Sequence, residues 1–269
     1  MNKISIKYLE QRMDIDNEIF KLETIFSEKT VGQITSFPIK NITFNDLLRN
    51  YFDSFPLSGT SRDPYEFLED RDIYPVQEDY NLYLLNLFSN FIFWLLEESG
   101  SLKSLRLEVK IISNLYNQIL LILESQNYKN IVSEEKNEYG FLDVFTVKRD
   151  EDIDSVLEYI SPDLRLDLLS YIDFRFEKNI KHKESIIARL YKDIESKKTT
   201  LNCDPFKSLY TDTKFALNIP RHHREYIMTD EEKILWYDRS FRMYVHLIRS
   251  QEIKKYQSEL KKLGPLLNK

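Results

Sequence analysis

LYLLNLFSNFIFWLL, Leu82 to Leu96, is the longest apolar stretch of the chain, and its reading decides the fold. A run this apolar is either a membrane span or a helix buried on every side. It is shorter than the roughly 20 residues that cross a bilayer. It also carries Asn86, Ser89 and Asn90 in its middle. We therefore read it as the central buried helix of a helical protein with no membrane role. IISNLYNQILLIL, residues 111–123, reads the same way. Together the two runs predict helices over about 78–98 and 103–126, packed antiparallel, with Ser99-Gly100-Ser101 as the turn between them.

Outward from this pair, Ile6, Leu9, Met13, Ile19, Leu22 and Ile25 recur near helical spacing and predict a helix over 3–28. Gly32 and Pro38 punctuate the next stretch, and a short helix starts near Thr43. Pro56, Pro64 and Pro75 make residues 54–77 loop-rich. YKNIVSEEKNEYGFLDVFTVK, residues 128–148, abandons the helical rhythm for short runs around a polar centre and predicts a β-hairpin. Helices resume over 151–160, restart at Ser161-Pro162 and continue, with a break, to about Lys197. A loop over 197–205, a short helix from Pro205 to about Phe215 and a connection over 218–230 come next. Thr229 and Glu232 form a capping box that opens the last helix, which Gly264-Pro265 should stop after Leu263. The expected fold is mainly α, an antiparallel helical bundle with a small β-hairpin insertion. Its expected parts are a helical region over 1–127, the hairpin over 128–148 and a helical region over 149–269, either separate or in one continuous domain.

The chain has 269 residues, enough to bury a core, with 17 Tyr and 17 Phe to fill it. Charged residues make up 30% of the chain, mixed in sign, with a net charge of -6, which argues against a basic, nucleic-acid-coating surface but leaves room for a local basic pocket. Cys203 is the only cysteine, so an internal disulfide and a cysteine zinc cluster are excluded. Its thiol reads as buried or incidental. The first twenty residues carry charges where a secretory signal needs an apolar core, so the expectation is cytoplasmic. Only five glycines are present, with no phosphate-cradling loop, dinucleotide fingerprint, serine elbow or zincin motif, and no cofactor is expected. Asp63, Glu66, Glu69, Asp70 and Asp72 crowd one stretch, which reads as a solvated face in preference to a metal site. A DNA-reading helix pair is missing.

The last helix poses the functional question. Ile234, Tyr237, Phe241, Tyr244, Val245 and Ile248 make one apolar face, while Arg239, Arg242, His246 and Arg249, at steps of three, four and three, make a second stripe. Asp238 and Glu252 are candidate salt-bridge partners if that stripe is only a solvated face. Arg221, His222, His223 and Arg224 form a compact basic patch in the preceding connection; two adjacent histidines alone do not make a zinc site.

Arg239 and His246, separated by six residues, resemble the arginine-to-histidine motif of the HEPN superfamily, in which Ser240 stands where Asn, Asp or His is more usual. The resemblance covers this motif and its helix. It implies a metal-independent ribonuclease of a stress-response or phage-defence kind, with Arg239 and His246 as the catalytic pair, often assembled across a homodimer. Arg175 and His182 have the same spacing, with Asn179 between them, and are a rival pair. The chemistry is coherent, because histidine titrates near neutrality and arginine grips phosphate oxygens with a rigid fork. On this reading His246 moves or orients the proton of a 2′-hydroxyl, Arg239 binds the scissile phosphate, and Arg242, Arg249, Arg221, His222 and His223 guide the RNA backbone. The alternative is a non-catalytic helical module, of the immunity, antitoxin or assembly kind, that binds a protein partner.

Overall fold

The computed structural model describes residues 14–36, 38–98, 105–222 and 228–267. They are mainly helical, with two small antiparallel sheets, and the chain divides into two compact units, Met1–Arg149 and Asp150–Lys269. No helix among the described residues is long and apolar enough to cross a membrane.

The first unit opens with α1 (Ile15–Glu28), whose N-terminus is capped by the Asp14 carboxylate. The part of the expected helix before Asp14 lies outside the described residues. Where the sequence suggested only punctuation, β1 (Thr30–Ile34) and β2 (Lys40–Thr43) form, and β3 (Leu105–Leu107) joins them in the order β2-β1-β3. These strands are too short to show an alternating pattern. Gly32 is required in the central strand: a Cβ there would lie 2.4 Å from the Arg106 carbonyl oxygen. Next come α2 (Phe44–Tyr51), closed by a Thr43–Asp46 capping box, and α3 (Pro64–Glu69), capped by Asp63. The Thr43 N–H and hydroxyl hold the Asp46 carboxyl below its ordinary range, against the effect of burial. The two long apolar helices are α4 (Tyr80–Glu98) and α5 (Val109–Ser125), and they pack against each other. The expected turn at Ser99-Gly100-Ser101 lies outside the described residues. The hairpin forms as expected from β4 (Tyr128–Lys136) and β5 (Leu142–Lys148).

Helix α4 is buried nearly all round, and Phe91 is its hub. Its ring lies 5.6 Å from that of Phe55 and 5.9 Å from that of Phe44, while Phe26 and Phe88 complete the cluster. The three polar residues that break the apolar run face the hairpin. Val144 of β5 donates its N–H to Asn90 Oδ1 at 2.9 Å. Its carbonyl accepts from Asn86 Nδ2 at 2.9 Å and Asn90 Nδ2 at 3.2 Å. Asn130 of β4 donates to Ser89 Oγ at 2.9 Å and accepts from Thr146 at 2.7 Å. Side-chain amides of a helix thus satisfy main-chain groups that a third strand would otherwise take.

The second unit contains α6 (Glu151–Leu157), α7 (Pro162–Ile172), α8 (Ile180–Ser196), α9 (Lys198–Leu201), α10 (Lys207–His222) and α11 (Asp230–Leu267). Helices α8, α10 and α11 pack mutually, and α6 packs on α11. The break anticipated before Lys197 falls at Asp173–Asn179, where Asp173 caps a 3-10 turn over Phe174–Phe176 and Asn179 caps α8. Helix α10 continues past Phe215, so Arg221 and His222 are helical and not in the expected loop. Helix α11 passes through Gly264-Pro265 to Leu267, giving 38 residues in place of a stop after Leu263. A proline so near the end costs one main-chain bond in a helix already propagated upstream.

Buried tyrosines tie this unit together. Tyr171 donates to Asp238 at 2.8 Å, Tyr244 to Asp193 at 2.8 Å and Tyr210 to Glu195 at 3.0 Å. Burial, then the neighbouring carboxylate, pushes the Tyr171 and Tyr244 hydroxyls far above their ordinary range. Lys183 has a side chain only 4% exposed and pairs with Asp238 at 2.6 Å while its ammonium sits 4.5 Å from the Tyr171 ring centroid.

Candidate functional site

The motif helix begins as expected. Thr229 N–H donates to Glu232 Oε2 at 2.9 Å, and Glu232 N–H donates to Thr229 Oγ1 at 3.3 Å. Tyr237, Phe241, Tyr244, Val245, Leu247 and Ile248 are buried, which fixes the rotation of α11 and turns Arg239, Arg242 and His246 to solvent, with Arg249 at the border. The three arginines and His246 therefore do form one outward stripe.

The stripe meets acid at the start of α6. Arg242 pairs with Asp150 and Arg249 with Asp152. Asp150 also caps α6, its Oδ1 accepting from the N–H groups of Asp152 at 3.1 Å and Ile153 at 3.2 Å. Acidic side chains suit a helix N-terminus, and half-exposed pairs of this kind contribute about 1 kcal/mol or less. The partners suggested by the sequence are used elsewhere: Asp238 holds Lys183 and Tyr171, and Glu252 lies 3.8 Å from Lys255.

Arg239 lies over Trp236, its guanidinium 5.6 Å from the ring centroid. Among the described residues no ion pair reaches Arg239 or the His246 imidazole. By the helical rise, Arg239 is about 10 Å along the axis from His246, whereas Arg242 and Arg249 are one turn away on either side. The guanidinium groups closest to the imidazole are thus the two that carboxylates hold. Ser240 is fully buried and donates to the carbonyls of Ala216 at 2.9 Å and Trp236 at 2.8 Å. It binds α10 to α11 and does not belong to the exposed stripe. Arg221 and His222 fall in the last turn of α10, and His223 and Arg224 lie outside the described residues.

The rival pair does not share one helix. Arg175 sits in the 3-10 turn and forks onto the buried Asp173, with Nε at 2.8 Å and Nη2 at 3.0 Å. Asn179 is the cap of α8, accepting from the His182 N–H, and not a residue between them on a helix face. The His182 ring stacks 4.0 Å from Phe176, and its Nε2 lies 2.7 Å from Ser170 Oγ in the last turn of α7. Burial holds the His182 imidazole below its ordinary range, ahead of the opposing hydrogen bond to Ser170.

In the acidic stretch of the first unit, the carboxylates have separate partners: Asp63 caps α3, Glu66 pairs with Arg62 at 3.1 Å and Asp70 accepts from Ser61 at 2.7 Å. Among the described residues no group of His, Cys, Asp or Glu could hold a metal ion. Cys203 is exposed, with its thiol on the Thr200 carbonyl at 3.1 Å. Comparison with protein-family models, with curated proteins and with solved structures yields no match.

Proposed function

We propose that the second unit is a metal-independent endoribonuclease of the stress-response or phage-defence kind, with the α11 stripe as its working face. One observation carries this reading: an exposed imidazole, His246, lies between two carboxylate-anchored guanidinium groups, Arg242 and Arg249, on a single helix face. Cleavage without metal needs a proton acceptor at the 2′-hydroxyl and positive charge on the phosphate. His246 would supply the first. The half-exposed arginines would supply the second, since a guanidinium held by one carboxylate still presents free N–H donors. Arg239, two turns away, would bind a neighbouring phosphate of the same strand or act with a second copy of the chain. The test is cleavage of a mixed-sequence RNA by the chain and by folded His246→Ala and Arg239→Ala. Loss of at least about a hundred-fold in His246→Ala supports the role. Unchanged cleavage by that variant removes it, and so does an inactive wild type.

A second reading is favoured by the same carboxylates and by the end of α11. Asp150 and Asp152 offset two of the three arginine charges, which weakens the stripe as a polyanion site. Beyond Ile248, α11 exposes Ile253 and Tyr256. This supports a non-catalytic helical module that binds a protein partner. Ile253→Glu should then abolish partner capture while His246→Ala leaves it intact.

A further inference from the structure

The first unit carries a shallow groove of about 320 Å³ along α1, walled by Phe20 and by Tyr65 of α3, with Glu23 and Glu28 at its edge. The core of this unit takes the other stripe of α1, Ile19, Leu22 and Phe26. Phe20 is left 68% exposed and Tyr65 45% exposed, two rings side by side at the groove. The polar floor satisfies itself. Thr24 donates to the Phe20 carbonyl at 2.9 Å, Ser27 to the Glu23 carbonyl at 3.0 Å, and Asn45 to Ser27 Oγ at 2.8 Å. Tyr65 donates to Glu23 at 2.6 Å, which fixes a phenol ring beside a carboxylate. Among the described residues no cation pairs with Glu23 or Glu28, and none lines the groove.

What remains unmatched is aromatic surface next to negative charge. A lysine or arginine side chain complements both, laying its methylene stem and cationic head against a ring and its donors on a carboxylate. A phosphate would meet only like charge, and a purely apolar segment would bury the carboxylates without partners. We propose that this groove docks an arginine- or lysine-bearing segment of a protein partner. The site is separate from the α11 stripe and stands or falls without it.

The test uses the full chain and two fluorescein-labelled peptides, Arg-Leu-Arg and Gln-Leu-Gln, each flanked by Gly and Ser, read by anisotropy at low salt. The Arg peptide should bind at least about ten-fold tighter than the Gln peptide. Glu23→Gln/Glu28→Gln and Phe20→Ala should each weaken the Arg peptide by about five-fold or more, with an unchanged thermal melt. A control, Glu135→Gln/Glu138→Gln, removes the same charge at the exposed hairpin tip and should change nothing. Equal binding of the two peptides, no binding of either, an equal loss in the control, or unaltered binding by the groove variants overturns the proposal.

Discussion

Helices α4 and α11 carry the same signal with opposite meanings. Each places polar residues at helical steps among apolar ones. In α4 the residues are amides and a hydroxyl, and they turn inward to a strand whose main chain has unmet donors and acceptors. In α11 they are cations and an imidazole, and they turn outward, where two of them meet the acidic start of α6. The chemistry of the polar group decides. An amide can be buried at little cost if both its faces are matched, whereas a guanidinium keeps its solvation unless a carboxylate is supplied.

The sharpest way to break this contrast is to remove the inward set. Asn86→Leu/Asn90→Leu leaves the Val144 N–H and carbonyl without partners and should destabilise the first unit by about 4 kcal/mol in denaturant unfolding. A loss under about 1 kcal/mol would mean that the amides are incidental. Next comes an inward cation, Lys183. Asp238→Ala strands Lys183, and because Asp238 is 47% exposed and water can reach the vacancy, the expected cost is nearer 2 kcal/mol than the upper range for a buried pair. Adding Lys183→Met should recover most of that. The outward set behaves differently. Asp150→Asn/Asp152→Asn keeps the α6 cap, since asparagine caps as well as aspartate, and frees two guanidinium groups. On the ribonuclease reading it should raise RNA affinity about five-fold or more at low salt while stability moves by under about 1 kcal/mol. His246→Ala should shift stability by no more than about 0.5 kcal/mol, the mark of a side chain that the fold does not use.

The smallest effect concerns His182, a histidine turned inward. Its folded-state pKa is depressed, so below about 6.5 the unfolded chain binds more protons than the folded one. Its contribution to stability is therefore full above that pH and declines as pH falls through it. The melting temperature of the second unit should drop less between pH 7.5 and 5.5 in His182→Gln than in the wild type. An equal drop would show that the folded chain protonates this ring as readily as the unfolded one.

Much of this was legible in advance. The long apolar runs, the hairpin and the Thr229–Glu232 cap all carry local patterns, and each forms near where expected, except that the start of the helix expected over 103–126 is strand β3 and α5 begins only at Val109. The sheet of β1, β2 and β3 was not legible, because strands of three to five residues show too little alternation and Leu105–Leu107 lies far along the chain from its partner. The apolar face that turns the α11 stripe outward was readable from spacing. That Asp150 and Asp152 would hold Arg242 and Arg249 was not, since the pairing joins residues about ninety positions apart and no local rule links them. Ser240 shows the same limit, because nothing in its neighbours says that it will be sealed against Ala216.

The amides of α4 also guard the protein against itself. A two-stranded ribbon leaves both flanks able to recruit another ribbon, and here one flank of β5 is occupied by Asn86 and Asn90. That guard lasts only while the helix stays seated. Any fluctuation that lifts α4 uncovers Val144 and its neighbours Phe145 and Val147, a short β-prone stretch that a second molecule could extend. Self-association during refolding should accordingly begin at this strand.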